Sequence, residues 1–204
     1  MAAPRPRWPV GIQPLLHSRW SLLREDPTHW SLTAHPGFLR IVAQPGGLFQ
    51  DGNNARNLLF RPAPPGPYQI TTKVTMMPTE NFQGAAIYVY QDDDNYLRLS
   101  RQYGNGDTVD LRLEVNGVAV TVSLPESATT VYLRIAREGD SYTASYGTDG
   151  SSWTLVGGKN MHVINPKVGI GSECGPSTTE IPADFDYFQL EDSSHHVFLP
   201  AVNR

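Results

Sequence analysis

The 204-residue chain lacks several features that mark common functional classes. Its single cysteine, Cys174, excludes an internal disulfide and a cysteine-based zinc cluster. No apolar run is long enough to cross a bilayer, and the N-terminal residues lack the apolar segment of a signal peptide. We therefore expect no membrane partner. The chain is expected to be cytoplasmic as written, or secreted as part of an exported protein.

The chain also lacks a basic charge excess. Its formal net charge is -4, and a nucleic-acid partner requires a basic field, so nucleic acid is not expected as a partner. Hydrophobic residues make up 39% of the chain and charged residues 18%, which is enough apolar content for a substantial core. The length fits one domain.

Helical periodicity is absent, and short alternating segments separated by turn residues take its place. These segments predict some twelve strands with turn signals every ~8–12 residues, which is typical of an all-β antiparallel β-sandwich or jelly roll. The predicted sandwich covers residues 18–192. A Pro/Arg-rich N-terminal arm or linker precedes it at 1–17, and a C-terminal tail follows at 193–204. His195 and His196 in that tail are interpreted as a solvated pair rather than a metal site.

The predicted sheet is organised around a hairpin at residues 84–101, GAAIYVYQDDDNYLRLSR. Its period-two alternation predicts two strands with one buried face and one free face. The Asp-rich segment between the strands supplies a tight turn. The buried face is predicted to contain Ile87, Val89, Leu97 and Leu99. The opposite face is predicted to be open to a ligand and carries Tyr88, Tyr90, Tyr96 and Arg98.

Several segments in fixed order resemble a known family. They are WSLTAHPGFLRI, ARNLLFRP, ITTKV, AAIYVYQDDDNYLRLSR, VYLRIAREGDSYTASYGTDGSSWTLVG, PKVGI and FDYFQL. Together they resemble the C-terminal concanavalin A-like β-sandwich of family 43 glycoside hydrolases of the β-xylosidase type, which is also classed as a xylan-binding module. The chain is similar too to the related regulation-of-enolase-like family.

The resemblance runs from about Trp20 to Glu191 and implies a concanavalin A-like (lectin/glucanase) fold and a carbohydrate partner. The five-bladed catalytic propeller of those hydrolases does not fit within 204 residues, so their glycosidase activity is not implied. In those hydrolases the domain also acts by packing on the catalytic domain.

The predicted binding residues follow from the chemistry of sugars, which present flat apolar faces and a fringe of hydroxyl groups. Aromatic rings stack on the former, and Asp, Asn, Gln and Arg side chains bond the latter. The alternative is that the tyrosines and arginines cover a second apolar layer. The predicted ligand-binding set comprises Tyr88, Tyr90, Tyr96, Arg98, Arg112 and Glu114 on the sheet face, with Gln91, Asp92, Asn95, Arg101 and Tyr103 at its rim.

Metal binding and catalysis are the remaining possibilities for the acidic residues. No cofactor is required, but a structural calcium is considered because lectin-like sandwiches often hold one; its candidate ligands are Asp186, Asp26 and Glu25. The acidic turn at 92–95 is interpreted as a turn with solvated carboxylates. Glycoside hydrolysis needs two carboxyl groups flanking a bond. The available acids are Glu114, Asp110, Asp92 and Glu173; Glu114 and Asp110 are the candidates for that role, and no G-x-S-x-G elbow is present.

Three functions are consistent with these residues. The leading hypothesis is a non-catalytic carbohydrate-binding β-sandwich for a plant-type polysaccharide, xylan or a related glycan, associated with a polysaccharide-degrading enzyme. The second is a small glycoside hydrolase or polysaccharide lyase that uses Glu114 or an Asp on the same face. The third is a protein-interaction domain whose tyrosine face meets another chain.

Overall fold

The computed structural model describes residues 16–192. Most of the predicted N-terminal arm, residues 1–15, and the whole predicted C-terminal tail with His195 and His196 lie outside the described residues. Within 16–192, no helix is long and apolar enough to span a membrane.

The described residues fold into β-strands joined by turns and short connections. The strands are β1 (Ser21–Leu23), β2 (Trp30–Ser31), β3 (Leu39–Ala43), β4 (Leu58–Pro62), β5 (Tyr68–Thr75), β6 (Gly84–Asp92), β7 (Asn95–Tyr103), β8 (Asp107–Val115), β9 (Val118–Pro125), β10 (Thr130–Glu138), β11 (Ser141–Gly147), β12 (Thr154–Asn160), β13 (Lys167–Glu173) and β14 (Ile181–Asp192).

These strands form two seven-stranded antiparallel sheets. The first sheet has the order β1-β4-β13-β6-β7-β8-β9, and the second has the order β12-β11-β10-β5-β14-β3-β2. The central hairpin pairs as its alternation predicts, with Tyr88 opposite Arg98 and Ile87 opposite Leu99. The two sheets form the predicted all-β antiparallel sandwich.

The Asn116-Gly117 pair shows how the sequence fixes one connection. Both residues have a positive φ, 51° and 72°, which is the left-handed conformation that a two-residue hairpin turn requires. The turn joins β8 to β9 and places Arg112 opposite Thr121. This register sets the position of Arg112, which belongs to the candidate functional site.

The main hydrophobic core lies between the two sheets. Ile87, Val89, Leu97 and Leu99 all belong to it, which confirms the predicted buried face of the central hairpin. They pack with apolar residues of the second sheet, among them Ile70, Val74, Leu133 and Phe185.

A second hydrophobic layer lies on the outer face of the first sheet. The capping segment, residues 44–57, crosses this face and buries Leu48 and Ala55 against the sheet. On the strands, the layer contains Leu58, Phe60, Ala86, Tyr88, Tyr90 and Tyr96. Gly169 of β13 leaves room for these rings, because a Cβ there would lie 2.7 Å from Cδ1 of Phe60 and 1.9 Å from the Leu59 carbonyl oxygen.

Candidate functional site

The three predicted tyrosines lie on the expected face but are not open to a ligand. Tyr88 and Tyr96 are 0% exposed and Tyr90 is 5% exposed. The capping segment seals them, because its apolar residues Leu48 and Ala55 pack against the same layer. The prediction of their parity is therefore confirmed and the prediction of an open tyrosine surface is wrong. The alternative of a second apolar layer describes these rings correctly.

Each buried tyrosine donates its hydroxyl hydrogen to a carboxylate. Tyr88 donates to Oε1 of Glu173 at 2.5 Å, and Tyr96 donates to Oε2 of Glu114 at 3.0 Å. Tyr90 donates to Oδ1 of Asp93 at 2.9 Å. Burial raises the pKa of all three phenols, with the neighbouring carboxylates adding to the effect. The three tyrosine hydroxyl groups are thus neutral donors, and each holds its carboxylate partner in place.

The capping segment is held at both ends and at its centre. Its central Gln50 donates its backbone N–H to both carboxylate oxygens of Glu114, at 3.0 and 3.1 Å. Gly46 and Gly175 exchange two backbone hydrogen bonds of 2.8 and 2.9 Å. Asn53 donates from Nδ2 to Oδ1 of Asp94 at 2.8 Å. Because these contacts come from three different parts of the sheet, the segment is a fixed part of the outer face.

A cavity of about 240 Å³ opens on the outer face beside the capping segment. Its walls come from the capping segment, from the β5–β6 connection and from the β13–β14 connection, and its floor comes from β7, β8 and β13. Most of its accessible surface is apolar. The lining residues are Gly47, Phe49, Phe82, Arg98, Gln102, Arg112, Glu173, Gly175 and Pro176.

A hydrogen-bonded chain of side chains forms the cavity floor. Arg98 is 2% exposed and donates from Nη1 to Oε2 of Glu173 at 3.0 Å. Its Nη2 donates to Oε1 of Gln102, whose Nε2 donates in turn to Oδ2 of Asp110 at 2.9 Å. Burial lowers the pKa of Arg98, but the combined effect of Glu173 and the neighbouring Tyr88, Tyr96 and Asp110 outweighs it and leaves that pKa above its ordinary value. The floor is therefore charged, paired and rigid.

Arg112 lies beside this chain with neutral partners. Its guanidinium carbon lies 4.7 Å from the Phe49 ring centroid, and its Nε donates to Oγ1 of Thr121 at 3.3 Å. No carboxylate oxygen of the described residues lies within 4.0 Å of its guanidinium nitrogens. Burial, and then the positive charge of Arg98, lower the pKa of Arg112. Arg112 keeps its charge and retains donor capacity for a ligand.

Two phenylalanine rings flank the cavity mouth. Phe49 is 46% exposed and Phe82 is 47% exposed, which is high for large apolar side chains. Gly175 is required beside Phe82: its φ is 55°, and a Cβ there would lie 2.6 Å from Cβ of Phe82. The Gly175 backbone thus packs closely against Phe82 at the mouth.

The other predicted binding residues divide between the cavity and the structure around it. Gln91, Asp92 and Asn95 form the β6–β7 turn, where Asp92 accepts from Asn95 Nδ2 at 2.7 Å and from Gln91 Nε2 at 2.9 Å. Tyr103 is half-buried at the β7–β8 turn. Arg98 and Arg112 are the members of the predicted set that line the cavity.

Arg101 and Glu114 do not occupy the open positions that the sequence suggests. Arg101 is 1% exposed and lies opposite Val109 and Ala85, so its parity is that of the core face. Its guanidinium donates to Asp107 and to the Ala128 carbonyl oxygen. Glu114 is 0% exposed and its oxygens are taken by Tyr96 and Gln50. Neither residue lines the cavity, because β-sheet parity and the capping segment bury them.

The proposed calcium ligands are each engaged by protein groups. Lys73 Nζ lies 3.1 Å from Oδ2 of Asp186, and Trp30 Nε1 lies 3.2 Å from Oε1 of Glu25. Asp26 accepts from Thr28 and Gln44. Among residues 16–192, no group of three or more His, Cys, Asp or Glu side chains is arranged to hold a metal ion. The predicted trio does not form a calcium site here.

Sequence reasoning missed the seven other lining residues of this cavity as binding residues, among them Glu173, Gln102, Phe49 and Phe82. Glu173 and Gln102 carry a usable signal, because each lies on the outer-facing parity of its strand, opposite Gly84 in the sheet. Phe49 and Phe82 lie in connections without periodicity. An apolar aromatic residue in a Gly- and Asn-rich loop is a sequence signal for Phe49, and Phe82 has no such signal.

The chain matches a known sequence family over most of its length. Residues 13–191 match the family described as the β-xylosidase C-terminal concanavalin A-like domain. A curated relative, a putative β-xylosidase from Escherichia coli (strain K12), is 26% identical over 195 residues; the match covers 81% of this chain and 34% of the relative. The chain therefore spans about a third of the length of that relative.

Solved structures share the fold. The family 43 protein BlXynB from Bacillus licheniformis superposes with a TM-score of 0.82 at 23% identity, covering 88% of this chain and 38% of that chain. The carbohydrate-binding module CBM66 from Bacillus subtilis superposes with a TM-score of 0.56 at 14% identity, covering 85% of this chain and 96% of that chain. With the sequence match over residues 13–191, the chain belongs to the β-xylosidase C-terminal concanavalin A-like domain family.

Proposed function

We propose that this protein is a non-catalytic carbohydrate-binding β-sandwich that binds a plant-type polysaccharide, xylan or a related glycan. The observation that carries the proposal is the cavity on the outer face of the first sheet, with an aromatic mouth and a fixed polar floor. Family membership supports a glycan partner, because the relatives are named as β-xylosidases and family 43 proteins.

The composition of the cavity suits a sugar ring. Ligand sites are mostly apolar, with a few polar groups at fixed positions that set orientation. Here Phe49 and Phe82 offer apolar faces for the C–H side of a ring. Arg112 and Gln102 on the floor offer hydrogen-bond donors and an acceptor for hydroxyl groups. The sequence placed the binding surface at the tyrosines; we propose the cavity instead.

Binding without hydrolysis is favoured by the carboxylates of this region. Hydrolysis of a glycosidic bond needs two carboxyl groups flanking it. Of the described residues that line the cavity, Glu173 is the acidic one, and it is already bonded to Arg98 and Tyr88. Glu114 and Asp110, the candidates from sequence, are 0% and 3% exposed. A substrate in the cavity meets no free pair of carboxylates.

A neighbouring enzyme is part of the proposal. The chain covers 34% of the E. coli relative and 38% of BlXynB, so in those proteins the equivalent region is one part of a longer chain. We propose that this protein works with a polysaccharide-degrading enzyme and keeps it near its substrate. Calcium is not needed for this role, because the floor groups of the cavity are fixed by one another.

A pull-down panel over insoluble xylan and cellulose, with and without a chelator, tests the function. We expect binding to xylan that the chelator does not change, with no reducing sugar released. Phe82→Ala and Arg112→Met should each weaken binding by at least about tenfold, corresponding to about 1.4 kcal/mol. Leu155→Ala is the matched control, because Leu155 is 62% exposed on β12 of the second sheet.

Two results would overturn this function, and a third would overturn its independence from calcium. Release of reducing sugar would favour a hydrolase, and loss of binding with the chelator would restore a calcium site. No retention on any polysaccharide, together with a stable complex with another protein, would favour the interaction-domain alternative.

A further inference from the structure

We infer that the cavity recognises the end of a glycan chain by enclosing one terminal sugar unit, and does not bind the middle of a chain. The inference rests on the proposed carbohydrate-binding function and adds to it the part of the polysaccharide that is bound. The size of the cavity, its closed side and its open side each support it.

The size of the cavity limits the ligand that it can enclose. Its volume is about 240 Å³, below the ~300–1,000 Å³ typical of sites for drug-sized molecules. A single sugar ring is smaller than such molecules, whereas several linked rings are not. The tyrosines that would have extended a binding surface along the sheet are sealed under the capping segment. The outer face therefore lacks the long tyrosine-lined groove that a mid-chain segment would need.

One side of the cavity is closed by backbone. Gly46 of the capping segment and Gly175 after β13 form a β-bridge with two hydrogen bonds, 2.8 and 2.9 Å long. This bridge joins two of the cavity walls on the β13 side, next to Glu173. A polysaccharide that entered the cavity could not continue in this direction without breaking the bridge.

The opposite side leads toward β9, the edge strand of the first sheet. Thr121 lies directly opposite Arg112, and Ser123 lies opposite Asp110 on the same face. Both are exposed. A chain whose terminal unit occupies the cavity can therefore leave on this side, across small polar side chains that offer little obstruction. A closed side opposite an open one is the geometry of end recognition.

The decisive measurement compares binding with the number of chain ends. A fixed mass of insoluble xylan is used intact or after limited cleavage by an endo-acting xylanase that halves the mean chain length. End recognition predicts that the bound capacity rises about twofold, in proportion to the ends. Mid-chain recognition predicts an unchanged or reduced capacity, and that result would overturn the inference.

A calorimetric series with xylose, xylotriose and xylohexaose provides an independent test. We expect the affinity to change less than about threefold between xylotriose and xylohexaose, because further units lie outside the cavity. A steady increase with length would show that the chain passes through the site, and the inference would be wrong although the protein binds glycans. If neither xylan nor any oligosaccharide binds, the proposed function itself fails. Phe82→Ala should weaken binding by at least about tenfold in both experiments, which ties the signal to this cavity.

Discussion

Tyr88 and Glu173 connect the buried layer to the cavity. The phenol donates to one oxygen of Glu173 at 2.5 Å, and Arg98 donates to the other at 3.0 Å. Glu173 is 4% exposed, so water does not satisfy a lost partner easily. A buried charged group depends on such bonds, because an unpaired buried charge is costly. The role of Tyr88 is thus to hold the floor rather than to touch a sugar.

Tyr88→Phe tests this role directly. Removing the hydroxyl leaves one oxygen of Glu173 without its donor, so we expect the free energy of unfolding to fall by about 1–3 kcal/mol, measured by urea denaturation. Tyr103→Phe is the matched control, because the Tyr103 side chain is half-buried and its hydroxyl makes no hydrogen bond to another described residue. Its effect should stay within about 0.5 kcal/mol. Equal effects of the two variants would contradict the assignment.

The β13–β14 connection is the element that forms one wall of the cavity, and side chains from two other segments hold it. Glu80 accepts from Ser177 and Thr179, each at 2.6 Å. His29 lies between Asp26 and Glu180, with Nδ1 3.0 Å from the first carboxylate and Nε2 3.2 Å from the second. An imidazolium can donate from both nitrogens, whereas neutral imidazole donates from one. Protonated His29 can therefore donate to Asp26 and Glu180 at once, and we call this pair of contacts the histidine tether.

The histidine tether predicts a pH dependence of stability. Burial lowers the pKa of His29, but hydrogen bonds to Asp26 and Glu180 outweigh it and raise that pKa above 6.5. Since the folded-state pKa is the higher one, the stabilisation is fully present below pH 6.5 and is lost as pH rises through the folded pKa. His29→Gln should remove this pH-dependent stabilisation, measured as the free energy of unfolding between pH 5.5 and pH 8.5.

His162→Gln is the exposed control and should retain the pH dependence of the unmodified protein. The same pH profile in both variants would contradict the role of His29.

Sequence and structure agree at the level of strands and differ at the level of connections. Period-two alternation was enough to predict that Ile87 enters the core and that Tyr88 faces away from it, because parity is a property of the strand itself. The capping segment has no such pattern. Its position depends on the Gln50–Glu114 contact, 64 residues apart, and on the bridge from Gly46 to Gly175. No local rule links those residues, so the burial of Tyr88 could not be predicted.

The same distinction explains how much of the site was predictable. Arg98 and Arg112 were predicted because they lie on the same face of neighbouring strands, and both line the cavity. Phe49 and Phe82 come from two connections that meet only in the folded protein. The sequence thus predicts the floor better than the mouth, since strand geometry determines the floor and tertiary contacts determine the mouth.

At the scale of the whole molecule, Cys174 links the core between the sheets to the capping segment and to the cavity wall. It belongs to the core between the sheets and is 0% exposed. Its backbone N–H donates to the Gln44 carbonyl oxygen at 3.2 Å, at the start of the capping segment. Its Sγ lies 3.4 Å from the Thr179 carbonyl oxygen, within the β13–β14 connection. The thiol therefore reports whether these parts open together.

Thiol labelling makes use of this position, because the chain contains one cysteine. Burial, with the charges of Glu180 and Glu80, raises the pKa of Cys174 to about 12, so reaction with a disulfide reagent at pH 8 requires opening. We expect labelling of the native protein to be at least about 100-fold slower than in denaturant, an opening free energy of about 2.8 kcal/mol or more. Under the proposed function a saturating glycan should slow it further, because a ligand in the cavity would contact both the capping segment and the β13–β14 connection. Cys174→Ser has no thiol and measures the background of the labelling reaction. Rapid labelling of the native protein would show that the β13–β14 connection opens freely. In that case the contacts of His29 and Glu80 would not hold the cavity wall.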